Sequence, residues 1–156
     1  MKKLTILFFL LPALCFGATG KISINVTSGL DLVEVQPIYL SSITVIGIGT
    51  ITILPSGERT ATGNVSFNDE YAAPGRFSLT GSPSSTFKVV FGTVTNLSNG
   101  KSTLTVSELK TSLVNNIGTS GMDGKAQFTV GCSVSIPLSA TSGVYNGTYN
   151  ITASTE

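Results

Sequence analysis

The chain has 156 residues, nine Lys and Arg against eight Asp and Glu, and a formal net charge of +1, so it is the size of one domain with no charge excess. That balance, without a basic cluster, excludes nucleic acid and an electrostatically held membrane surface as partners. Histidine and tryptophan are absent, which removes the usual general base near neutral pH and the commonest metal ligand.

The chain begins MKKLTILFFLLPALCFG. Two lysines, an apolar run and then small residues are the order of a secretory signal peptide, too short for a membrane span and with no second apolar segment behind it. Cleavage after Gly17 fits best, with Cys15 and Gly17 as the small residues before the cut. Leu14 is too bulky to precede a lipid-anchored cysteine. The expected organisation is a signal peptide over residues 1–17 and one β-sandwich domain over 18–156. Localisation follows as export, to the periplasm or to the cell surface and medium. Only Cys132 remains after such a cut, so no internal disulfide forms and packing alone must hold the domain. Cys132 reads as a small buried hydrophobe at the start of a strand, with pairing to another chain as the alternative.

Beyond the leader, β-branched residues dominate and favour pleated strands, while glycine and proline supply turns. In KISINV (21–26), Ile22, Ile24 and Val26 alternate onto one face. DLVEVQPIYL follows, with Pro37 at a strand boundary or sheet edge. The branched run 43–53 contains Gly47 and Gly49 and reads as two strands or one strongly bent strand. PSGE (55–58) suits a tight turn. Val65 and Phe67 alternate, NDEYAAPG forms a polar loop, Phe77 and Leu79 alternate again, and GSPSS leads into FKVVF. Leu104 and Val106 mark a short strand. SELKTSLVNNI (107–117) is the only helix candidate, of one or two turns, with Ser107 as its cap and Leu109, Leu113 and Val114 on one face. GTSGMDGK reads as a loop. Ala126, Phe128 and Val130, then Val134 and Ile136, alternate. In GVYNGTYNIT, Tyr145, Gly147, Tyr149 and Ile151 share one face of a terminal edge strand. Nine to eleven short strands between turn signals predict an all-β, mostly antiparallel β-sandwich with at most one short helix.

Chemistry-bearing residues are sparse. Without histidine, Cys132 has no partner for a thiol nucleophile and a serine triad is unavailable. The eight acids are scattered, and no two are placed as a glycosidase pair. NDE (68–70) lacks the spaced oxygen ligands of a calcium loop. Two Ser-x-x-Lys strings, from Ser85 and Ser107, have no companion motifs. Five Asn-x-Ser/Thr sequons, at Asn25, Asn64, Asn96, Asn146 and Asn150, matter only where a host attaches glycans. The expectation is therefore no enzyme, no metal and no cofactor. Tyr71, an aromatic in a polar loop, is the candidate ligand contact of a secreted binding module, for example for glycans.

Three stretches, ILPSGERTATGNV, RFSLTGSPSSTFKVV and GKAQFTVGCSVSIPLSATSGVYNGTYNIT, resemble the bacterial secreted family called domain of unknown function 4402. Gly57, Gly63, Val65, Phe77, Gly81, Phe128, Val130, Gly131, Gly143, Tyr145, Gly147 and Thr148 stand where its pattern places them. Cys132 and the ending ASTE depart from it. The resemblance implies an immunoglobulin-like, pilin-like sandwich of the fimbrial-adhesin type. It also implies self-association or assembly with other pilus subunits, an assembly chaperone as partner, and completion of an open sheet edge by a donated strand. Ile22, Ile24 and Val26 form the candidate donor, in a segment whose first reading is the opening strand of its own chain. Tyr145, Gly147, Tyr149 and Ile151 form the candidate acceptor edge.

Overall fold

The computed structural model describes residues 29–68 and 71–155. The leader (1–17) and the candidate donor residues Ile22, Ile24 and Val26 lie outside the described residues. Among the described residues ten strands form: β1 (Asp31–Gln36), β2 (Ile43–Ile53), β3 (Arg59–Phe67), β4 (Gly75–Thr80), β5 (Thr86–Val94), β6 (Leu97–Ser98), β7 (Thr103–Thr111), β8 (Ile117–Thr119), β9 (Lys125–Ile136) and β10 (Tyr149–Thr155). All their pairings are antiparallel. They make two sheets, a large one in the order β1-β4-β9-β2-β3, extended by β7 and β6, and a small one in the order β10-β5-β8.

β9 organises the large sheet. Val130 pairs both Gly75 and Thr111, and Ser135 pairs both Thr50 and Thr105. β7 therefore runs along one edge of β9, while β4 and then β2 share the other. The change of partner falls at Gly131, where an added Cβ would collide with the Ile53 carbonyl and the backbone of Leu54 and Pro55. Only glycine lets those chains approach so closely. The next turn also works as its residues require: Gly57 sits at φ 91° and donates its N–H to the Leu54 carbonyl at 2.8 Å, a left-handed position that glycine adopts without strain.

Strict alternation along β9 sends Phe128, Val130, Cys132, Val134 and Ile136 inward, all buried. Phe128 stacks on Phe77 of the adjacent strand with centroids 5.4 Å apart and meets Phe87 of the small sheet at 6.4 Å. Phe77, Leu79, Phe87, Val89, Phe128 and Val130 form one sealed core cluster, and each such side chain contributes about 1.5–3 kcal/mol by leaving water. A second cluster gathers Ile51, Ile53, Val65, Leu104, Cys132, Val134 and Ile136.

The ladders also define two ends. At one, Thr80 pairs Asp31 and Lys125, Thr86 pairs Thr119, and Gly81 donates its N–H to Gly124. At the other, Gly49 pairs Ile136 just before Pro137, and Val94 pairs Tyr149. These are called below the Gly81 end and the Pro137 end.

The helix expected over 107–117 does not form. Residues 107–111 belong to β7, and a single 3-10 turn (Val114–Asn116) leads into β8. The misleading signal is the spacing of Leu109 and Leu113, which both pack against the core, one from β7 and the other from the stretch that follows it, while Val114, the third residue of the expected face, is 80% exposed. The run 43–53 is one strand with an irregularity between Val45 and Gly49. Cys132 lies well inside β9 rather than at a strand start.

Candidate functional site

β10 is an edge of the small sheet and pairs only with β5 among the described residues. Its inward residues, Tyr149, Ile151 and Ala153, are half-buried, and Asn150, Thr152 and Ser154 face out. Alongside it opens a cleft of about 800 Å³ that runs between the two sheets. Every residue from Gly147 to Ala153 lines this cleft, inward and outward side chains alike. A strand does that when it presents its edge, and among the described residues no strand pairs with that edge. Leu30, Leu32 and Glu34 make the opposite wall. The large sheet supplies an apolar floor that includes Phe77, Leu109, Cys132 and Val134.

A polar contact spans the cleft. The Tyr149 hydroxyl donates to Glu34 Oε1 at 3.0 Å, joining β10 to β1. The ring of Tyr149 meets Phe77 edge-on at 6.2 Å. Burial, followed by the neighbouring Glu34 charge and its hydrogen bond, holds the Tyr149 hydroxyl protonated well above its ordinary range. Burial pushes the Cys132 thiol up to about 12, so at neutral pH it is a packing group and a poor nucleophile.

The rim at the Pro137 end is laced by hydrogen bonds. Thr95 and Thr148 exchange backbone and hydroxyl bonds, and Ser98 and Asn146 form an isolated bridge. Asn99 accepts from the backbone N–H of Lys101 and Ser102 and donates to Thr141. The Tyr145 hydroxyl engages Ser102 and donates to the Thr141 carbonyl. Hydrogen bonding with Ser102 lowers the Tyr145 hydroxyl from its ordinary pKa. Of the four residues expected to share the terminal strand, Tyr149 and Ile151 lie in β10, whereas Tyr145 and Gly147 precede it in the rim. The correction has a local cause: the bridge at Asn146 and the Thr95–Thr148 bonds tie this stretch to residues 95–98 before the ladder with β5 begins.

Tyr71 lies away from the cleft, exposed, with its ring 5.3 Å from that of exposed Tyr39 at a tilt of 42°. In the second Ser-x-x-Lys string Ser107 donates to the Ser133 carbonyl and Lys110 pairs with Glu108 at 3.0 Å. Among the described residues no three of Cys, Asp and Glu come together as metal ligands, and no helix is long and apolar enough to cross a membrane. Sequence reasoning missed Glu34, Leu32 and Leu109. Nothing local announces that Glu34 meets a tyrosine 115 positions later.

Comparison with curated proteins and with solved structures found no match. A protein-family match spans residues 30–154, which takes in β1 to β9, all of β10 but Thr155, both walls of the cleft and its rim. On that match the chain belongs to the family described as Domain of unknown function (DUF4402).

Proposed function

We propose that this chain is an exported, non-enzymatic structural or adhesin-type subunit with an immunoglobulin-like, pilin-like sandwich, assembled at the cell surface by strand donation. The observation that carries the proposal is the open β10 edge along an apolar cleft. An extended segment seated there gains main-chain hydrogen bonds from β10 and buries alternate side chains against the floor. The segment 21–26 has the matching pattern in Ile22, Ile24 and Val26. In the periplasm an assembly chaperone shields the same cleft, and in the polymer another subunit fills it.

The test is electrophoresis in detergent, with and without boiling, of the protein recovered from the surface of its own host. Strand-exchanged subunits are kinetically trapped and run as a ladder at multiples of the subunit mass that collapses on heating. Monomer in every unboiled lane would rule the proposal out. A dimer removed by reductant would point to Cys132 instead.

The exposed Tyr39 and Tyr71 rings favour a second reading, a stand-alone module that binds glycans on aromatic faces. Its test is glycan-array binding of the soluble domain. Binding that survives Tyr71→Ala would remove that residue from the site.

A further inference from the structure

We infer that Asn146 is a site of spontaneous covalent modification: in the folded protein the main-chain nitrogen of Gly147 converts its side-chain amide to aspartate or isoaspartate, whereas the other Asn-Gly pair, Asn99 with Gly100, is held unreactive. The inference is independent of strand donation, because it concerns the rim of one molecule and needs no partner.

The chain places Asn or Asp directly before glycine at Asn99, Asp123 and Asn146. At the first two the groups that would react are tied. Asn99 Oδ1 accepts from the backbone N–H of Lys101 at 2.9 Å and of Ser102 at 2.8 Å, and its amide donates to Thr141 Oγ1 at 3.1 Å. Gly100 donates its own N–H to Ser98 Oγ at 3.1 Å. Asp123 Oδ1 likewise accepts from the Lys125 N–H at 3.1 Å, while Gly124 donates to the Gly121 carbonyl at 3.0 Å. In both turns the glycine has a positive φ, 81° and 75°, and the side chain before it is folded back onto the backbone that follows.

Asn146 has none of these restraints. Its side chain is exposed, and among the described residues its amide has no hydrogen-bond partner and the Gly147 N–H has no acceptor. Nor is Gly147 one of the glycines with a positive φ. Packing requires glycine at this position all the same: an added Cβ would lie 2.7 Å from Leu97 Cδ2 and 3.1 Å from the Thr95 carbonyl oxygen. The same missing side chain leaves the Gly147 nitrogen sterically open. Close approach at the rim and reactivity therefore have one cause.

Hydroxide removes the Gly147 amide proton, and the nitrogen attacks Asn146 Cγ. A Cγ–N bond forms, the Cγ–Nδ2 bond breaks, and the departing nitrogen takes a proton from water to leave as ammonia. The cyclic imide then adds water at either of its carbonyls and opens. Opening at one carbonyl gives aspartate. Opening at the other gives isoaspartate, in which the main chain runs through the side-chain carboxyl carbon and is longer by a methylene. Water is the only co-reactant. Both products add a negative charge to the rim. Isoaspartate also breaks the spacing of the bridge in which Asn146 and Ser98 exchange N–H···O bonds of 3.0 and 2.9 Å.

The test is incubation of the freshly purified full chain at mildly alkaline pH in water enriched with heavy oxygen, in buffer and in urea, followed by peptide mass mapping. In buffer, the peptide carrying Asn146 is expected to gain heavy oxygen at least about tenfold faster than the one carrying Asn99, because Asn99 must first give up its hydrogen bonds. In urea the two rates are expected to converge. Equal rates in buffer, or no label at Asn146, would overturn the inference. So would a contrast that persists in urea, since the fold would then not be its cause. As an independent measurement, aged protein is expected to melt at a lower temperature than both the fresh chain and Asn146→Asp, whose main chain keeps its length. Asn146→Gln is expected to hold its melting temperature on ageing. If it lost as much as the parent chain, the damage would lie elsewhere and the assignment to Asn146 would fall.

Discussion

The two halves of the core are built on the same strand and finished differently. Toward the Gly81 end, β9 contributes Phe128 and Val130 to a cluster that both sheets cover, with Phe87 and Val89 of β5 closing it from the other side. Toward the Pro137 end, Cys132 and Val134 are just as buried, yet they belong to a cluster whose other members come almost wholly from the large sheet. There, half-buried Leu97, Ala140 and Tyr145 stand in for a facing strand, and the cleft opens beside them. A three-stranded sheet cannot cover the whole face of a larger one. The difference teaches that the site is a consequence of unequal sheets, with no dedicated chemistry needed to create it.

The largest effect should come from breaking the sealed half. Phe128→Ala removes the stack on Phe77 and the contact with Phe87, and should cost about 3–5 kcal/mol in a urea titration. If the loss were under about 1 kcal/mol, the aromatic cluster would not be the anchor of the fold.

Cys132 sharpens the comparison by pH. Its thiol is raised from 9.0 to about 12 by burial, so the folded chain holds this proton more tightly than the unfolded one. The stabilisation is complete below pH 9 and is lost as pH rises toward 12, by about 1.4 kcal/mol per pH unit. Measured as urea midpoints between pH 8 and 11, the difference between the parent chain and Cys132→Ala should shrink as pH rises. A constant difference would mean that the cleft floor is wet.

Across the open half, Tyr149→Phe removes the hydroxyl bond to Glu34 while keeping the ring against Phe77. We expect a loss of about 1 kcal/mol, because one partner is exposed and the net value of such a bond is modest. Glu34→Gln should reproduce much of that loss if the bond itself carries it. Smallest of all, Tyr71→Ala on the exposed pair should change stability by no more than about 0.5 kcal/mol. A larger change would make that pair a structural element and weaken its reading as a binding surface.

Much of the sheet structure was legible in the residues. The alternations at Phe77 and Leu79 and at Phe128 and Val130 fall in β4 and β9, and the turn at PSGE forms as its proline and glycine require. Errors arose where a strand departs from period two. Leu109 in β7 and Leu113 just after it kept a helical spacing of four, and the alternation from Tyr145 to Ile151 ran on past the point where the ladder stops. Periodicity records which way side chains point, and a rim stretch pinned by Asn146 and Thr148 keeps that pattern without pairing as a strand.

The sequence by itself determined an all-β chain. Local sterics of branched residues, the backbone freedom of Gly57 and the period-two burial pattern act over a few neighbours and need no distant partner. Only the tertiary structure decided that β9 trades β4 for β2 at Gly131, that Glu34 reaches Tyr149, and that among the described residues one edge of the small sheet has no pairing strand above Cys132 and Val134. Those outcomes depend on which strands come to lie side by side. Pairing of that kind is settled by the joint burial of residues far apart in the chain, which no short stretch of residues encodes.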